Sequence, residues 1–218
     1  MSREKTEESV VHVVDDQEGI RLLVSRVLAT VGLRCVAWEG PSGLLAAVDG
    51  QRIDVLVVDI RLGGMSGLEL VRRLREHGVT APVIFISGID EVAVAIEAMK
   101  LGAHDFLPKP FAAQALIDSV QGALRLRLAD RDRDQRLRQV QALLAKLSPR
   151  ERQVFLAVVD GKANKAIAID LGLSEKTVEE HRAHMITKLA ATSVADLVKL
   201  AVVAGLCDPT SASAASNR

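Results

Sequence analysis

VLVVDI, residues 55–60, runs four consecutive apolar residues directly into Asp59. A valine-rich run without polar alternation reads as a strand buried on both faces, which is the habit of a parallel sheet. HVVDD at 12–16 repeats the pattern into Asp15 and Asp16, and DFLPKPF at 105–111 carries another apolar stretch into Lys109. In a parallel sheet every strand opens its carboxyl end on the same edge, so three carboxylates and one ammonium converge there. That set suits a divalent cation and a transferred phosphoryl group.

Working outward, strands are expected near Val10–Val14, Arg34–Trp38, Asp54–Val58, Val83–Ile86 and Asp105–Leu107. Amphipathic stretches between them predict helices over roughly Glu18–Val31, Ser42–Val48, Gly67–Glu76, Val92–Leu101 and Ala112–Leu124. Strict alternation of strand and helix argues for right-handed crossovers and a doubly wound five-stranded α/β domain.

Composition bounds the rest. The 218 residues are 49% apolar but only 2% aromatic, so the core is aliphatic. Net charge is zero, yet 13 Lys and Arg stand against 17 Asp and Glu over residues 1–125, and 15 against 11 over 126–218, an acidic half joined to a mildly basic one. Cys35 and Cys207 have neither metal-ligand nor redox spacing, which predicts reduced thiols in the cytoplasm. The charged start MSREKTEES is unlike a signal peptide, and no apolar run reaches the length of a membrane span, so no membrane association is expected.

Residues 125–147, RLRLADRDRDQRLRQVQALLAKL, contain neither Gly nor Pro and predict a helical linker over 126–146. Leu137, Val140, Leu144 and Leu147 form a short apolar seam, open to a second reading as a dimer coiled coil. Beyond it the punctuation is helical. SPRE at 148–151 is a capping box with Pro at the first helical position. A second helix runs from about Asn164 to Leu171 and stops at Gly172, Ser174 caps a third that ends near Leu189, and Ser193 with Asp196 opens a fourth. The tail over 207–218 is small, polar and expected to be disordered.

With VVDD at 13–16, VVDI ending past Asp59, FISG with Ser87 and LPKPF with Lys109 and Pro110 in this order and spacing, residues 8–125 resemble the receiver domain of two-component response regulators. The resemblance implies a flavodoxin-like fold, Asp59 as phosphoacceptor, and Mg²⁺ organised by Asp15, Asp16, Asp59 and the backbone carbonyl of Arg61. A carboxylate attacking a phosphoryl donor approaches a dianion, so the cation is needed to screen its oxygens, and Lys109 adds a mobile point charge. The Ser87 hydroxyl can donate to the phosphoryl once transferred. Taken singly, Asp16 also reads as a helix N-cap, Ser87 as a turn residue, Lys109 as a surface lysine and Phe106 as plain core. The resemblance further implies a cis bond before Pro110, a switch through Ser87 and Phe106, and dimerisation through the Val92–Leu101 helix and the last strand. Gly63 stands where such receivers usually carry Pro, which predicts a more flexible loop. Arg61 and Ile89 flank the expected phosphoryl.

LSPRERQVF at 147–155, NKAIAIDLGLSEKTVEEHRAHMITKL at 164–189 and VADLVKLA at 194–201 resemble the LuxR-type helix-turn-helix of the NarL/FixJ subfamily, an all-α four-helix domain over 147–206. It implies that Glu175–Leu189 lies in the major groove of a double-stranded operator. At 100° per residue, Val178, His181, Met185 and Leu189 share one side, while Lys176, Glu179, Glu180, Ala183 and Thr187 share the other. Lys176 suits a guanine edge or phosphate, and Glu179 and Glu180 suit cytosine amino groups. Lys165, Arg182 and Thr177 suit phosphates.

The expectation is therefore a response regulator, not an enzyme. A sensor histidine kinase phosphorylates Asp59, the phosphorylated receiver dimerises, and the dimer binds DNA to regulate transcription, with RNA polymerase as a further partner. One alternative is a phospho-switch whose sigma-like helix-turn-helix grips a partner protein rather than DNA. Another, a haloacid dehalogenase-type phosphohydrolase, needs an Asp two residues after the nucleophile, where this chain has Arg61.

Overall fold

A computed structural model describes residues 9–88 and 92–207, so Ile89 and, apart from Cys207, the tail expected to be disordered lie outside the described residues. The chain divides into two compact units, one ending at Asp130 and the other beginning at Arg131.

The first unit alternates β1 (Val10–Val14), α1 (Glu18–Ala29), β2 (Arg34–Trp38), α2 (Pro41–Ala47), β3 (Val55–Asp59), α3 (Gly67–Glu76), β4 (Val83–Ser87), α4 (Val92–Lys100), β5 (Asp105–Pro108) and α5 (Ala113–Leu144). The strands pair in parallel in the order β2-β1-β3-β4-β5. Alternate residues feed two cores. Leu56, Val58, Val83 and Phe85 pack with Leu70 and Leu74 of α3 on one face, while Val55, Val57, Ile84 and Ile86 pack with Leu28 of α1 and Leu116 and Val120 of α5 on the other. Both faces being dry is why these strands read as unbroken apolar runs.

Register places the polar residues. Val14 pairs with Val58, so Asp15 comes level with Asp59. Asp59 pairs with Ile86, and Ser87 with Pro108, which brings Ser87 and Lys109 to the same edge. The order reverses between β1 and β3, and the crevice of an open α/β sheet lies at such a reversal, outside the carboxyl ends.

Most boundaries shift by a residue or two, and two shifts have a visible cause. Asp54 is outside β3 because its buried carboxylate accepts from the Val10 amide at 2.9 Å and pairs with Arg52 at 3.0 Å. The expected break near Leu124 is absent, since α5 continues to Leu144 through a stretch with no residue to stop it. Gly122 inside it gives room to His104, whose Nε2 would lie 3.0 Å from a methyl group at that position.

The second unit is built from the end of α5, α6 (Pro149–Val159), α7 (Asn164–Leu171), α8 (Glu175–Leu189) and α9 (Val194–Val203). Ser148 and Ser193 form capping boxes with Glu151 and Asp196, and Ser174 accepts from the Thr177 amide. Gly172 ends α7 at φ 65°, the left-handed region that favours glycine. Val140, Leu144 and Leu147, the seam that also read as a coiled coil, are buried with Phe155, Ile167, Val178, Met185 and Leu197 in this unit's own core.

Candidate functional site

β1 and β3 deliver Asp15 and Asp59 to the edge, and Asp16 follows in the loop before α1. One carboxylate oxygen from each lies within 4.8 Å of the others. Asp15 and Asp59 are 0% and 3% exposed, whereas Asp16 is exposed. Lys109, just past β5, donates from Nζ to Asp15 Oδ2 at 2.7 Å and lies 3.3 Å from Asp59 Oδ2. One ammonium thus serves two buried carboxylates.

The electrostatics follow from that shortage. Burial, the largest cause, holds the Asp59 carboxyl above its ordinary value, and the neighbouring Asp15 adds to it, while Lys109 and the Arg61 amide pull it down. An all-carboxylate donor set fits a hard divalent cation, and Lys109 already marks where positive charge is wanted.

The surrounding backbone is pinned. Asp15 accepts from the Gln17 amide at 2.8 Å, and Arg21 on the first turn of α1 donates to the carbonyls of Asp15 and Asp16 at 2.8 and 3.0 Å. The N-cap of α1 is Gln17, so the N-cap alternative for Asp16 does not hold. The Lys109 amide donates to the Ser87 carbonyl at 2.6 Å, and the Lys109–Pro110 bond is cis, as the resemblance implied. Ser87 is 4% exposed at the end of β4. Gly67 begins α3 so close to β3 that a methyl group there would sit 2.1 Å from the Asp59 carbonyl oxygen. Arg61 is exposed, and Phe106 is half-buried against the core that includes Phe85. In the following loop the positive φ falls on Gly64, at 89°, rather than on Gly63.

Sequence reasoning missed Arg21 and Gly67. Arg21 acts on carbonyls and leaves no side-chain pattern. Gly67 was legible only as a helix start, because its function is to be absent as a side chain.

The second unit presents a different surface. On α8, Lys176, Glu179, Glu180, Ala183 and Thr187 are exposed, while Val178, Met185 and Leu189 are buried, the division that periodicity predicted. Lys165 is exposed on α7. Arg182 donates to the Asn164 side chain at 2.7 Å, and Thr177 shares a 2.8 Å hydroxyl contact with Ser174. Two of the three expected phosphate ligands, Arg182 and Thr177, are thus engaged within the unit. Beneath the helix, Lys188 donates to Glu151 at 2.6 Å, a pairing across 37 residues that the capping box alone did not reveal.

Comparison with known proteins matches residues 11–121 to the family described as the response regulator receiver domain, and residues 145–201 to that of bacterial regulatory proteins, luxR family. The transcriptional regulatory protein FixJ of Azorhizobium caulinodans is 42% identical over 199 residues, covering 90% of this chain and 93% of that protein. The response regulator protein TmoT of Ectopseudomonas mendocina is 35% identical, covering 89% and 88%. The solved structure of the response regulator StyR superposes with a TM-score of 0.81 at 35% identity, over 89% of this chain and 98% of that one.

Proposed function

Because the chain belongs to the response regulators of the NarL/FixJ subfamily, which join a receiver domain to a luxR-family DNA-binding domain, we propose that its on-state is set by phosphorylation of Asp59. The protein is a transcriptional regulator, and this family assignment favours a DNA-binding role over the alternative of gripping a partner protein. The single observation that carries the phosphoryl reading is the cluster of Asp15, Asp16 and Asp59 with Lys109 bonded into it.

Asp59 supplies the attacking carboxylate oxygen. Asp15, Asp16 and Asp59, with the Arg61 carbonyl, would hold Mg²⁺, which when bound screens the incoming phosphoryl oxygens. Lys109 leaves its bridge to Asp15 for the phosphoryl group, and Ser87 donates its hydroxyl to it. Arg21 keeps the Asp15–Asp16 backbone in place throughout. Phe106 responds to Ser87, and the face made by α4 and β5 pairs two receivers. The donor is a sensor histidine kinase, and as the Asp59 oxygen bonds to phosphorus the bond from phosphorus to the kinase's histidine nitrogen breaks and the histidine leaves. The receiver spans 8–125, and the reading domain 147–206 places Lys176, Glu179, Glu180 and Ala183 against base edges of a double-stranded operator and Lys165, Thr177 and Arg182 against phosphates, so that Arg182 must exchange Asn164 for DNA. The linker is 126–146, with Val140 and Leu144 of its last turns packed into the reading domain's own core. RNA polymerase is the expected downstream partner, the compartment is the cytoplasm, and no catalytic turnover is expected. No described helix is long and apolar enough to cross a membrane.

The test is the DNA-bound fraction, on sequences selected from a random pool, with and without beryllofluoride plus Mg²⁺. The reading requires enrichment of a two-fold sequence and tighter binding with the phosphoryl mimic. Enrichment of no sequence would return the partner-protein alternative.

A further inference from the structure

At the amino-terminal edge of the sheet, opposite the carboxylates and within the first unit, a cavity of about 340 Å³ opens where the α3–β4 and α4–β5 connections meet the middle of α5. Two arginines border it. Arg75 donates to the Val79 carbonyl at 2.7 Å, and Arg127 donates to the Thr80 hydroxyl at 2.8 Å. Both are half-buried. Among the described residues neither forms an ion pair, and the Nε–H of Arg127 is buried with no acceptor. Burial first, and then the charge of Arg127, hold the Arg75 guanidinium below its ordinary value. His104 adds a further polar edge against Gly122. Asp130, the single acidic residue of the lining, is exposed and pairs with neither arginine.

A desolvated pair of like charges is a cost that a bound anion relieves. A guanidinium offers its donors as a planar fork matched to carboxylate and phosphate oxygens. The volume sits at the small end of the range of about 300–1,000 Å³ typical of small-molecule sites, and exceeds what a lone inorganic ion needs. We propose that this cavity binds a small organic anion, its phosphate or carboxylate head held between Arg75 and Arg127. The walls run directly into β4 and β5, the strands that end in Ser87 and Pro108, so the occupant stabilises the amino ends of the two strands that carry the switch residues. The competing explanation is that the two arginines only fasten the α3–β4 turn through Val79 and Thr80.

Titration calorimetry on the full chain in Mg²⁺-free buffer at fixed ionic strength separates the two. The probes are inorganic phosphate, glycerol 3-phosphate and succinate. At least one should bind with a Kd of about 1 mM or tighter. Arg127→Gln should weaken it roughly tenfold, and Arg127→Lys, which keeps the charge but loses the fork, by less. Arg75→Gln should act like Arg127→Gln and provides the readout if that variant does not fold. Binding by both phosphates without succinate assigns the phosphate class, and succinate alone assigns the carboxylate class. No binding below about 10 mM of any probe, or binding that survives both glutamine variants, overturns the proposal. Labelling of Asp59 by an acyl phosphate in the same variants should be unchanged, so failure here is distinguishable from failure of the phosphoryl reading.

Discussion

Asp59 and Glu151 are buried almost equally, at 3% and 4% exposure, yet their surroundings push them in opposite directions. Burial and a second carboxylate raise the Asp59 pKa. The Lys188 hydrogen bond, followed by the Ser148 amide, pulls Glu151 down to about 2. The difference is one of supply. In the first unit a single ammonium is divided between two buried carboxylates, while in the second unit one carboxylate has an ammonium and a helix N-terminus to itself. The first unit holds an unfinished charge balance, which is what the proposed metal and phosphoryl group would complete. The second holds a finished one, which fixes α6 against α8.

Replacing each carboxylate breaks the comparison most directly. Asp59→Asn should abolish ³²P incorporation from an acyl phosphate and, by removing a disfavoured charge, raise the melting temperature by a few degrees, about 1 kcal/mol. Glu151→Gln should leave incorporation untouched and cost about 2 kcal/mol, since the capping oxygen is weakened and Lys188 loses its partner. Calorimetric melting that moved both variants the same way would remove the distinction between the two sites.

Gly67→Ala should cost more stability than either. A methyl group 2.1 Å from the Asp59 carbonyl oxygen cannot be accommodated without moving α3 or the end of β3. The expected loss is about 3 kcal/mol, with slower labelling of Asp59 in whatever remains folded. A denaturant midpoint indistinguishable from the parent would show that α3 can retreat freely.

Acid should separate the two units further. Glu151 has a lowered pKa, so its contribution is fully present above the ordinary value of 4.5 and is lost as pH falls toward about 2. Asp59 has a raised one, so its ionisation removes stability as pH rises above 3.8, and acid restores it. Trp38, the single tryptophan, reports the first unit, and amide exchange in α6 and α8 reports the second. Loss of α6 and α8 protection as pH falls from 4.5 toward about 2 is the expected result, read apart from Trp38, whose indole donates to His12 Nδ1 and so also senses acid protonation of that buried imidazole.

What was legible from the chain tracks how local the cause was. Val13, Val14, Val57 and Val58 announce strands because both sheet faces are dry, and the parallel edge then gathers Asp15, Asp16, Asp59 and Lys109 without further information. Ser148, Ser174 and Ser193 announce helix starts because a cap is satisfied within three residues. The unread features act across the fold or through backbone. Arg21 holds carbonyls, Lys188 reaches Glu151 from another helix, and Gly67 matters for an atom it lacks. The end of α5 was placed at Leu124 although no residue there stops a helix, and what Val140 and Leu144 pack against was not legible because their register suited a seam with a second chain as well as the second unit's own core.

The smallest effects lie on the second unit's proposed reading face. Lys165 is exposed, and on the proposed reading it contacts phosphate, so Lys165→Ala should weaken binding to every sequence nearly equally and reduce the slope of log affinity against log salt by about one. Arg182 starts from its 2.7 Å bond to Asn164, and DNA must replace that bond rather than fill a gap. Arg182→Ala should therefore reduce the salt slope by the same amount but lose less affinity than Lys165→Ala, because part of what DNA contributes only offsets what Asn164 gave up. Equal affinity losses in a binding titration at matched salt would mean that Asn164 gives up Arg182 at no cost, and that the second unit holds its surface charge as loosely as the first holds its pocket.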